Sequence, residues 1–474
     1  MIAAHWFLPA ERHSRKSAAL RLLTTAHLFN CQKMTFQFQP HECVRLLPHR
    51  RQVWSGLWAG EPAFAKFYLG RNACRDLEAE EEGLRRLHQA GIAAPLILSR
   101  NTRCESPDGQ SGSLLVLAAI PGARSLAEAF SEADASGRAR LAEETLAIFR
   151  KLHSSGLDHR DCHFGNFIVG DQGLHLIDGD AVRPLVDATA SMAMLLAQFP
   201  AGFQPDLSAF DQPEALRLAA ARARFERIRR LRRKVFRSCT AVESSCIGSA
   251  RCLFAPAADC LALQELLADP DASLHLPGSR VLKDGRTCTV WTLPLDSVGQ
   301  VVVKRYNLEW PGALLKGFVP GRGARSWAGS FLLADQGLPN PEALALIENR
   351  LGPWRGTSWI VTRYQEGRDL LSLITDAGLP DEALEDLLMQ AARLILDLAS
   401  IGGVHGDCKA QNFLVSPQGK LSWIDLDSLQ FQAAPLDAAK AGKDRRRFLR
   451  NLELAPWRSP ELRRRLAATL RLEG

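Results

Sequence analysis

The chain has 474 residues, of which 46% are hydrophobic and 23% are charged. These fractions match those of folded soluble proteins and exclude a chain that is disordered over most of its length. The length accommodates two or three domains, and the net charge of +7 is too small to identify a partner by itself.

The cysteine pattern and the N-terminus indicate where the protein works. Eleven cysteines occur without CxxC pairs, which argues against zinc ribbons and disulfide scaffolds and favours a reducing compartment. No apolar run approaches the roughly 18 residues of a membrane span. Residues 1–33 are basic but lack the apolar core of a secretion signal. We predict that they form an N-terminal extension, either disordered or not translated.

The first predicted elements are a strand that ends at Lys66 and a charged helix over Asp76–Gln89. Leucines recur on one side of that helix, and Gly91 follows it as a terminator. The next elements are two strands and two helices, in the order Ile92–Leu98, Leu114–Ala119, Leu126–Phe130 and Leu141–Leu152.

Three motifs then recur in the second half of the chain in the same order. The first is an apolar strand ending in Lys66 or Lys304, and the second is a His-x-Asp-Cys loop at 159–162 or 405–408. The third is an apolar strand that ends in two acids separated by one residue. The repeat predicts a tandem duplication, with domains at 34–240 and 241–439.

The second copy repeats the same order of elements. Its predicted helix ends before Gly337, and Trp359–Thr362 and Leu384–Ala399 follow as a strand and a long helix. Strands precede helices in both copies, which is typical of an α+β fold with two lobes.

Two segments are strongly basic. Ala221–Arg237 carries nine basic residues with apolar residues at helical spacing, and the C-terminal tail, 440–474, carries two arginine triplets. Either segment is a solvated helix or a surface for anionic lipid or sugar phosphate, and we expect no nucleic-acid partner.

The repeated motifs supply the parts that phosphoryl transfer from ATP requires: a cation for the phosphates, ligands for Mg²⁺ and an acid that positions a hydroxyl. The spacing His-x-Asp-x-x-x-x-Asn is the catalytic-loop pattern of protein-kinase-like folds. In the first copy we assign Asp161 as the proton acceptor, Asn166 and Asp178 as metal ligands, and Lys66 as the phosphate-binding cation. Glu80 is the best helix partner for Lys66, in competition with Glu78, Glu81 and Glu82.

In the second copy the same roles fall to Asp407, Asn412, Asp425 and Lys304. Aligning Gly337 with Gly91 places Ser326 opposite Glu80, so this copy lacks the glutamate. We predict that both copies are active.

Several neighbouring residues have a plainer interpretation. His159 and His405 are predicted to hold the loop by hydrogen bonds, and Cys162, Cys408 and His163 to be structural, because no spacing here activates a thiolate.

Two further features give weaker signals. The acids Asp180 and Asp427 are possible second metal ligands, and this question stays open. The segments Trp54–Gly60 and Leu282–Arg286 are the predicted phosphate-covering hairpins, although neither has a clear G-x-G-x-x-G pattern.

The chain resembles the lipopolysaccharide kinases, the Kdo and heptose kinases of Gram-negative core biosynthesis, over roughly residues 40–185 and 275–435. The resemblance is carried by Leu152–Asp161 with Asn166-Phe167, by Lys304–Asn307, and by Arg325–Trp327 with Gly337–Pro341. It implies a protein-kinase-like fold and ATP- and Mg²⁺-dependent phosphorylation of a sugar hydroxyl on the lipid A–core acceptor.

The same resemblance implies a peripheral position at the cytoplasmic face of the inner membrane, where other core-assembly enzymes are possible partners. Basic segments fit an anionic membrane surface. Two alternatives stay open: a pseudokinase scaffold, and a kinase for a small molecule or a protein.

Overall fold

The computed structural model describes residues 38–307, 320–433, 438–454 and 460–470. The predicted extension at 1–33 lies outside these ranges. The described chain divides into two compact units. The N-terminal unit contains the residues up to 220 except Phe199–Phe203, and the C-terminal unit contains Phe199–Phe203 and the residues from Ala221 onward.

The N-terminal unit begins with a five-stranded antiparallel sheet in the order β1-β2-β3-β5-β4, and a mainly helical part follows. Its strands are β1 Phe38–Leu47, β2 Arg51–Trp58, β3 Glu61–Leu69, β4 Ile97–Glu105, β5 Ser111–Ala118, β6 Arg124–Ser125, β7 Leu157–His159, β8 Phe167–Gly170, β9 Gly173–Leu176 and β10 Val182–Pro184. Its helices are α1 Ala73–Gln89, α2 Leu126–Glu132, α3 Ala135–Ser154, α4 Ala188–Leu196 and the start of α5 Pro213–Lys234.

The C-terminal unit repeats this plan with a seven-stranded antiparallel sheet in the order β11-β12-β16-β17-β15-β14-β13. Its strands are β11 Glu243–Ile247, β12 Ala250–Phe254, β13 Arg280–Asp284, β14 Cys288–Leu295, β15 Gly299–Tyr306, β16 Ala343–Leu351, β17 Trp354–Arg363, β18 Arg368–Asp369, β19 Gly403–Val404, β20 Phe413–Val415, β21 Leu421–Trp423 and β22 Gln430–Phe431. Its helices are α6 Leu261–Ala268, α7 Arg322–Asp335, α8 Leu370–Ile374, α9 Asp381–Ser400, α10 Ala438–Leu449 and α11 Pro460–Thr469.

The predicted α+β fold is therefore confirmed, and most predicted helices agree with the structure to within a few residues. The predicted strand at Ile92–Leu98 is wrong over its first five residues, since β4 begins only at Ile97. Ile92 instead donates its backbone N–H to Leu87 O and closes α1, and Pro95 has no N–H to offer to a sheet.

Helix α5 is not simply a solvated helix that closes the first repeat. Ile228 and Val235 are buried, and the Val235 carbonyl accepts a 2.8 Å hydrogen bond from the Trp327 indole. Arg227 forms a 2.7 Å ion pair with Asp335. Through these contacts the part of α5 from Ala221 onward packs with the C-terminal unit. They also show that the apolar face of α5 contributes to a protein core.

The predicted basic tail likewise packs as part of the C-terminal unit. Phe448 of α10 and Leu462 and Leu466 of α11 are buried in one core with α9. No helix in the described ranges combines the length and the apolar character that a membrane crossing requires.

Candidate active sites

In the N-terminal unit, one lysine is held between two carboxylates. Lys66 lies on β3, a strand with a neighbour on each side, and its Nζ is 2.6 Å from Glu80 Oε1 and 2.8 Å from Asp178 Oδ1. Burial alone lowers the pKa of Lys66, but the charges of Asp178 and Glu80 outweigh it and hold that pKa well above its usual value. Burial raises the pKa of Asp178, and the Lys66 ammonium outweighs this effect and lowers it. Lys66 and Asp178 are therefore both ionised at neutral pH.

The structure selects Glu80 among the four competing glutamates. Leu77, Leu84 and Leu87 lie on the buried face of α1, and Glu80 shares that face and is fully buried. Its second oxygen accepts a 3.2 Å hydrogen bond from the Asp180 backbone N–H. Glu80 thus connects α1, β3 and the loop after Asp178.

Close backbone packing brings α1 to that loop. A Cβ on Gly83 would lie 1.8 Å from Gly179 O, and a Cβ on Gly179 would lie 2.3 Å from Glu80 O, so both positions require glycine. Asp178 adopts a left-handed conformation with φ of 62°. His159 Nε2 is 3.1 Å from the carbonyl oxygens of Ile177 and of Asp178, the loop-holding role predicted for this histidine.

The catalytic-loop motif places Asp161 and Asn166 side by side. Asn166 Nδ2 donates a 2.7 Å hydrogen bond to the Asp161 backbone oxygen. The backbone carbonyl of Asn166 accepts a hydrogen bond from Ile177 N–H. The Asp161 side chain is 66% exposed, so it can reach an incoming hydroxyl. His163 Nε2 approaches it at 3.7 Å.

The hairpin nearest these groups differs from the predicted one. Trp54–Gly60 contains the turn between β2 and β3, whereas the turn between β1 and β2 lies at residues 48–50. Arginines flank that earlier turn: Arg51 forms a 3.3 Å ion pair with Asp180. Burial, together with the charge of Arg51, lowers the pKa of Arg45. The charges of Asp178, Asp161 and Asp180 raise that pKa but do not outweigh burial and Arg51. Neither arginine was predicted from the sequence, because the hairpin prediction rested on glycines.

The C-terminal unit keeps the lysine and its aspartate but not the glutamate. Lys304 Nζ is 2.6 Å from Asp425 Oδ1, and Asp425 is left-handed with φ of 58°. Burial lowers the pKa of Lys304, while Tyr306 and Asp425 outweigh burial and raise it. Ser326 occupies the position of Glu80 and forms a 2.8 Å hydrogen bond with the Tyr306 hydroxyl.

Gly329 of α7 supports the alignment of Ser326 with Glu80. Gly329 follows Ser326 by three residues and packs against Leu426, and Gly83 follows Glu80 by three residues and packs against Gly179. The predicted hairpin at Leu282–Arg286 does overlap the turn between β13 and β14. Arg322 binds Asp427 at 2.6 Å, so both doubtful second acids, Asp180 and Asp427, are partners of an arginine.

Asp407, the predicted proton acceptor of this unit, is held by cations. Lys409 Nζ is 3.0 Å from Asp407 Oδ2, and the Arg447 guanidinium of α10 forms an ion pair with Asp407 Oδ1. Asn412 Nδ2 donates to the Asp407 backbone oxygen at 2.7 Å. Asp444, also on α10, accepts a 2.7 Å hydrogen bond from His405 N.

Sequence reasoning missed Arg447 and Asp444, because both lie in a segment assigned to a separate tail. Lys409 was a detectable signal, since it follows Asp407 by two residues. The cysteines of both loops are buried, and burial raises the pKa of the Cys162 thiol to about 12 and that of Cys408 well above its usual value, in agreement with a structural role.

The donor set in each unit fits Mg²⁺ bound together with a nucleotide. The Asn166 and Asn412 amide nitrogens donate to backbone, so their amide oxygens remain as possible metal ligands beside Asp178 and Asp425. Within the described ranges, no group of three or more His, Cys, Asp and Glu side chains could hold a metal alone. Mg²⁺ typically takes one or two carboxylates and completes its shell with phosphate oxygens and water.

A family model described as the lipopolysaccharide kinase (Kdo/WaaP) family matches residues 38–188 and 327–465, which is more than half of the chain. The first match includes the assigned residues Lys66, Glu80, Asp161, Asn166 and Asp178, and the second includes Asp407, Asn412 and Asp425 together with α10. No curated protein matches the chain.

Proposed function

The chain belongs to the lipopolysaccharide kinase (Kdo/WaaP) family, and on that premise we propose that it transfers the γ-phosphoryl group of ATP to a heptose or Kdo hydroxyl of the lipopolysaccharide inner core. The observation that carries this proposal is the Lys66–Glu80–Asp178 arrangement beside the Asp161–Asn166 loop. The N-terminal unit is the transfer site in this proposal, because its set of charged groups is complete.

Each residue then has a defined task. Lys66, positioned by Glu80, binds nucleotide phosphate oxygens, and the nearby Arg45 and Arg51 add positive charge on the hairpin side. Asp178 and Asn166 would hold Mg²⁺, which would neutralise negative charge on the phosphates. Asp161 accepts the proton of the sugar hydroxyl while that oxygen bonds to the γ-phosphorus, and the bond from the γ-phosphorus to the bridging oxygen of ADP breaks.

The acceptor in this proposal is a lipid A–core molecule at the cytoplasmic face of the inner membrane. Its phosphates make it polyanionic, and basic residues near a surface of that kind each contribute about 1 kcal/mol of attraction. Exposed arginines on α5 and α11 supply such charge, although the apolar side of α5 is buried in protein.

The missing glutamate at Ser326 supports a second function for the C-terminal unit, in which it binds the acceptor or a nucleotide without turnover. This form of the scaffold hypothesis applies to one unit and leaves catalysis to the other.

The test is transfer of labelled phosphate from ATP to extracted lipid A–core by the full chain. We expect Asp161→Asn to lower the rate by about 100-fold or more, since a positioned base contributes about 10²–10⁴-fold. Asp211→Asn is the matched control, because Asp211 is an exposed acid of the same unit. Unchanged transfer in Asp161→Asn would reject this assignment, and a wild-type protein that phosphorylates no core acceptor would reject the proposed substrate.

A further inference from the structure

Beside Asp407 lies a cavity of about 520 Å³ that is almost entirely cationic. It is lined by Lys409, Lys443, Arg446, Arg447, Arg450 and Asn451. Cavities of about 300–1,000 Å³ are typical of small-molecule sites. Most such sites are largely apolar, so a lining of five cations and one amide points to an anionic ligand.

Within the described ranges, most of this positive charge has no carboxylate partner. Arg447 and Lys409 share the single carboxylate of Asp407. In the part of the chain that the structure describes, no carboxylate forms an ion pair with Lys443, Arg446 or Arg450. Clustered like charges repel each other in the absence of a counter-ion, and a phosphate group would relieve that repulsion.

The cavity is built on a fixed frame. The Asp444 carboxylate accepts hydrogen bonds from the His405 and Gly406 backbone N–H groups at 2.7 and 3.2 Å, which joins α10 to the catalytic loop. Phe448 packs edge-on against Phe413 with ring centroids 5.6 Å apart. The cations of α10 are thus held at a defined position beside Asp407, where a flexible basic tail would not keep them.

The described residues of the N-terminal unit offer no counterpart to this cavity lining at the equivalent positions. Helix α4, which follows the equivalent acidic strand end, consists of Ala, Thr, Ser, Met and Leu residues only. His163 stands at the position of Lys409. The cationic lining is therefore not a consequence of the shared fold.

The structure assigns this cavity as a binding subsite for a phosphate monoester carried by a sugar, next to the Asp407 loop of the C-terminal unit. Arginine and lysine donors fit the three terminal oxygens and the charge of a monoester, and Asn451 adds a neutral donor. In this inference the phosphate is carried by a core acceptor that is already phosphorylated. Only this identity of the acceptor rests on the proposed function.

Binding of glucose 6-phosphate to the full chain, measured by calorimetry at fixed ionic strength, tests the assignment without ATP or turnover. We expect the wild type to bind glucose 6-phosphate and not glucose. The double variant Arg446→Gln/Arg450→Gln should lose about ten-fold or more in affinity, because charge-assisted hydrogen bonds to phosphate are removed. Arg232→Gln/Arg233→Gln on α5 removes the same charge elsewhere and should bind within about two-fold of the wild type.

Three results would overturn the subsite: no binding by the wild type, equal binding of glucose, or equal losses in the two double variants. A lipid source of the same phosphate chemistry is distinguished with vesicles of neutral lipid containing phosphatidic acid. If the cavity variant loses vesicle binding but keeps glucose 6-phosphate binding, the cavity serves the lipid surface and the sugar-phosphate assignment is wrong.

The readout also separates this inference from the proposed function. Glucose 6-phosphate binding that survives in Asp161→Asn supports the subsite whatever the transfer assay shows. Loss of that binding in Asp161→Asn, with the fold intact by circular dichroism, would contradict a site located beside Asp407.

Discussion

The two catalytic loops have nearly the same sequence pattern, but the charged residues around them differ. The N-terminal unit has an additional acid at its lysine, and the C-terminal unit has additional cations at its catalytic-loop aspartate. In the N-terminal unit the lysine has both an aspartate and a buried glutamate, and Asp161 is largely exposed. In the C-terminal unit the glutamate is replaced by Ser326, whereas Asp407 forms ion pairs with Lys409 and with Arg447 of α10. The motif is therefore the same in both units, whereas the residues around the lysine and around the catalytic-loop aspartate differ.

In the proposed function, this difference corresponds to a division of tasks between the units. Lys304, which has no glutamate partner, forms an ion pair with Asp425, and its Nζ lies 5.0 Å from the centre of the Tyr306 ring. A cation-lined cavity beside an aspartate suits recognition of a charged acceptor. Unequal units of this kind predict unequal responses to matched substitutions.

The largest difference is expected from the two strand lysines. Lys66→Met should lower phosphate transfer by about 100-fold or more, because a preorganised charge on the phosphates is lost. Lys304→Met should lower it by less than about ten-fold if the N-terminal unit carries out transfer. Labelled-phosphate transfer to lipid A–core measures both, and a Lys304→Met loss equal to that of Lys66→Met would mean that both units take part in catalysis.

Glu80→Ser makes the N-terminal site resemble its counterpart. Lys66 then keeps Asp178 alone, and we expect transfer to fall by about ten-fold, with a higher KM for ATP, because a charge-assisted hydrogen bond is lost. Steady-state kinetics over a range of ATP concentrations provide the measurement. Ser326→Ala is the matched control in the other unit. If Glu80→Ser has the same kinetics as the wild type, the Lys–Glu pair does not account for a difference in activity between the units.

The paired glycines predict a difference in stability. Gly83→Ala places a Cβ against a backbone oxygen that cannot move freely, so the free energy of unfolding should fall by about 1–3 kcal/mol. Gly329→Ala meets the Leu426 side chain at 3.1 Å, and the gain in helix propensity offsets the contact to within about 1 kcal/mol. Urea denaturation followed by circular dichroism compares them, and equal effects would contradict the closer packing in the N-terminal unit.

The smallest expected effect is a pH dependence. The pKa of Asp178 is lower in the folded chain than in the unfolded chain, so its stabilising contribution is present above the unfolded pKa of about 4 and is lost as pH falls below it. The difference in unfolding free energy between the wild type and Asp178→Asn should therefore be constant from about pH 5 to pH 8 and shrink at lower pH. A difference that grows as the solution is acidified would show that Lys66 does not stabilise the ionised form.

Local patterns predicted much of the molecule. The apolar strand at Lys66 and the periodicity of α1 depend on neighbours within one element. The structure contains both, although β3 continues to Leu69, beyond the predicted end at Lys66. The failures share a cause: Pro95 and the closure of α1 delay β4, and the hairpin over the site is identified only once β1 pairs with β2.

The sequence by itself determined the repeat, the fold class and the residue types of both loops, because each of these is encoded within short stretches of chain. Only the tertiary structure decided which glutamate meets Lys66, since four candidates share one helix and burial selects one face. It also decided that α10 lies against the catalytic loop, because the contacts of Arg447 with Asp407 and of Asp444 with His405 join residues about forty positions apart. No local pattern records contacts made over that distance.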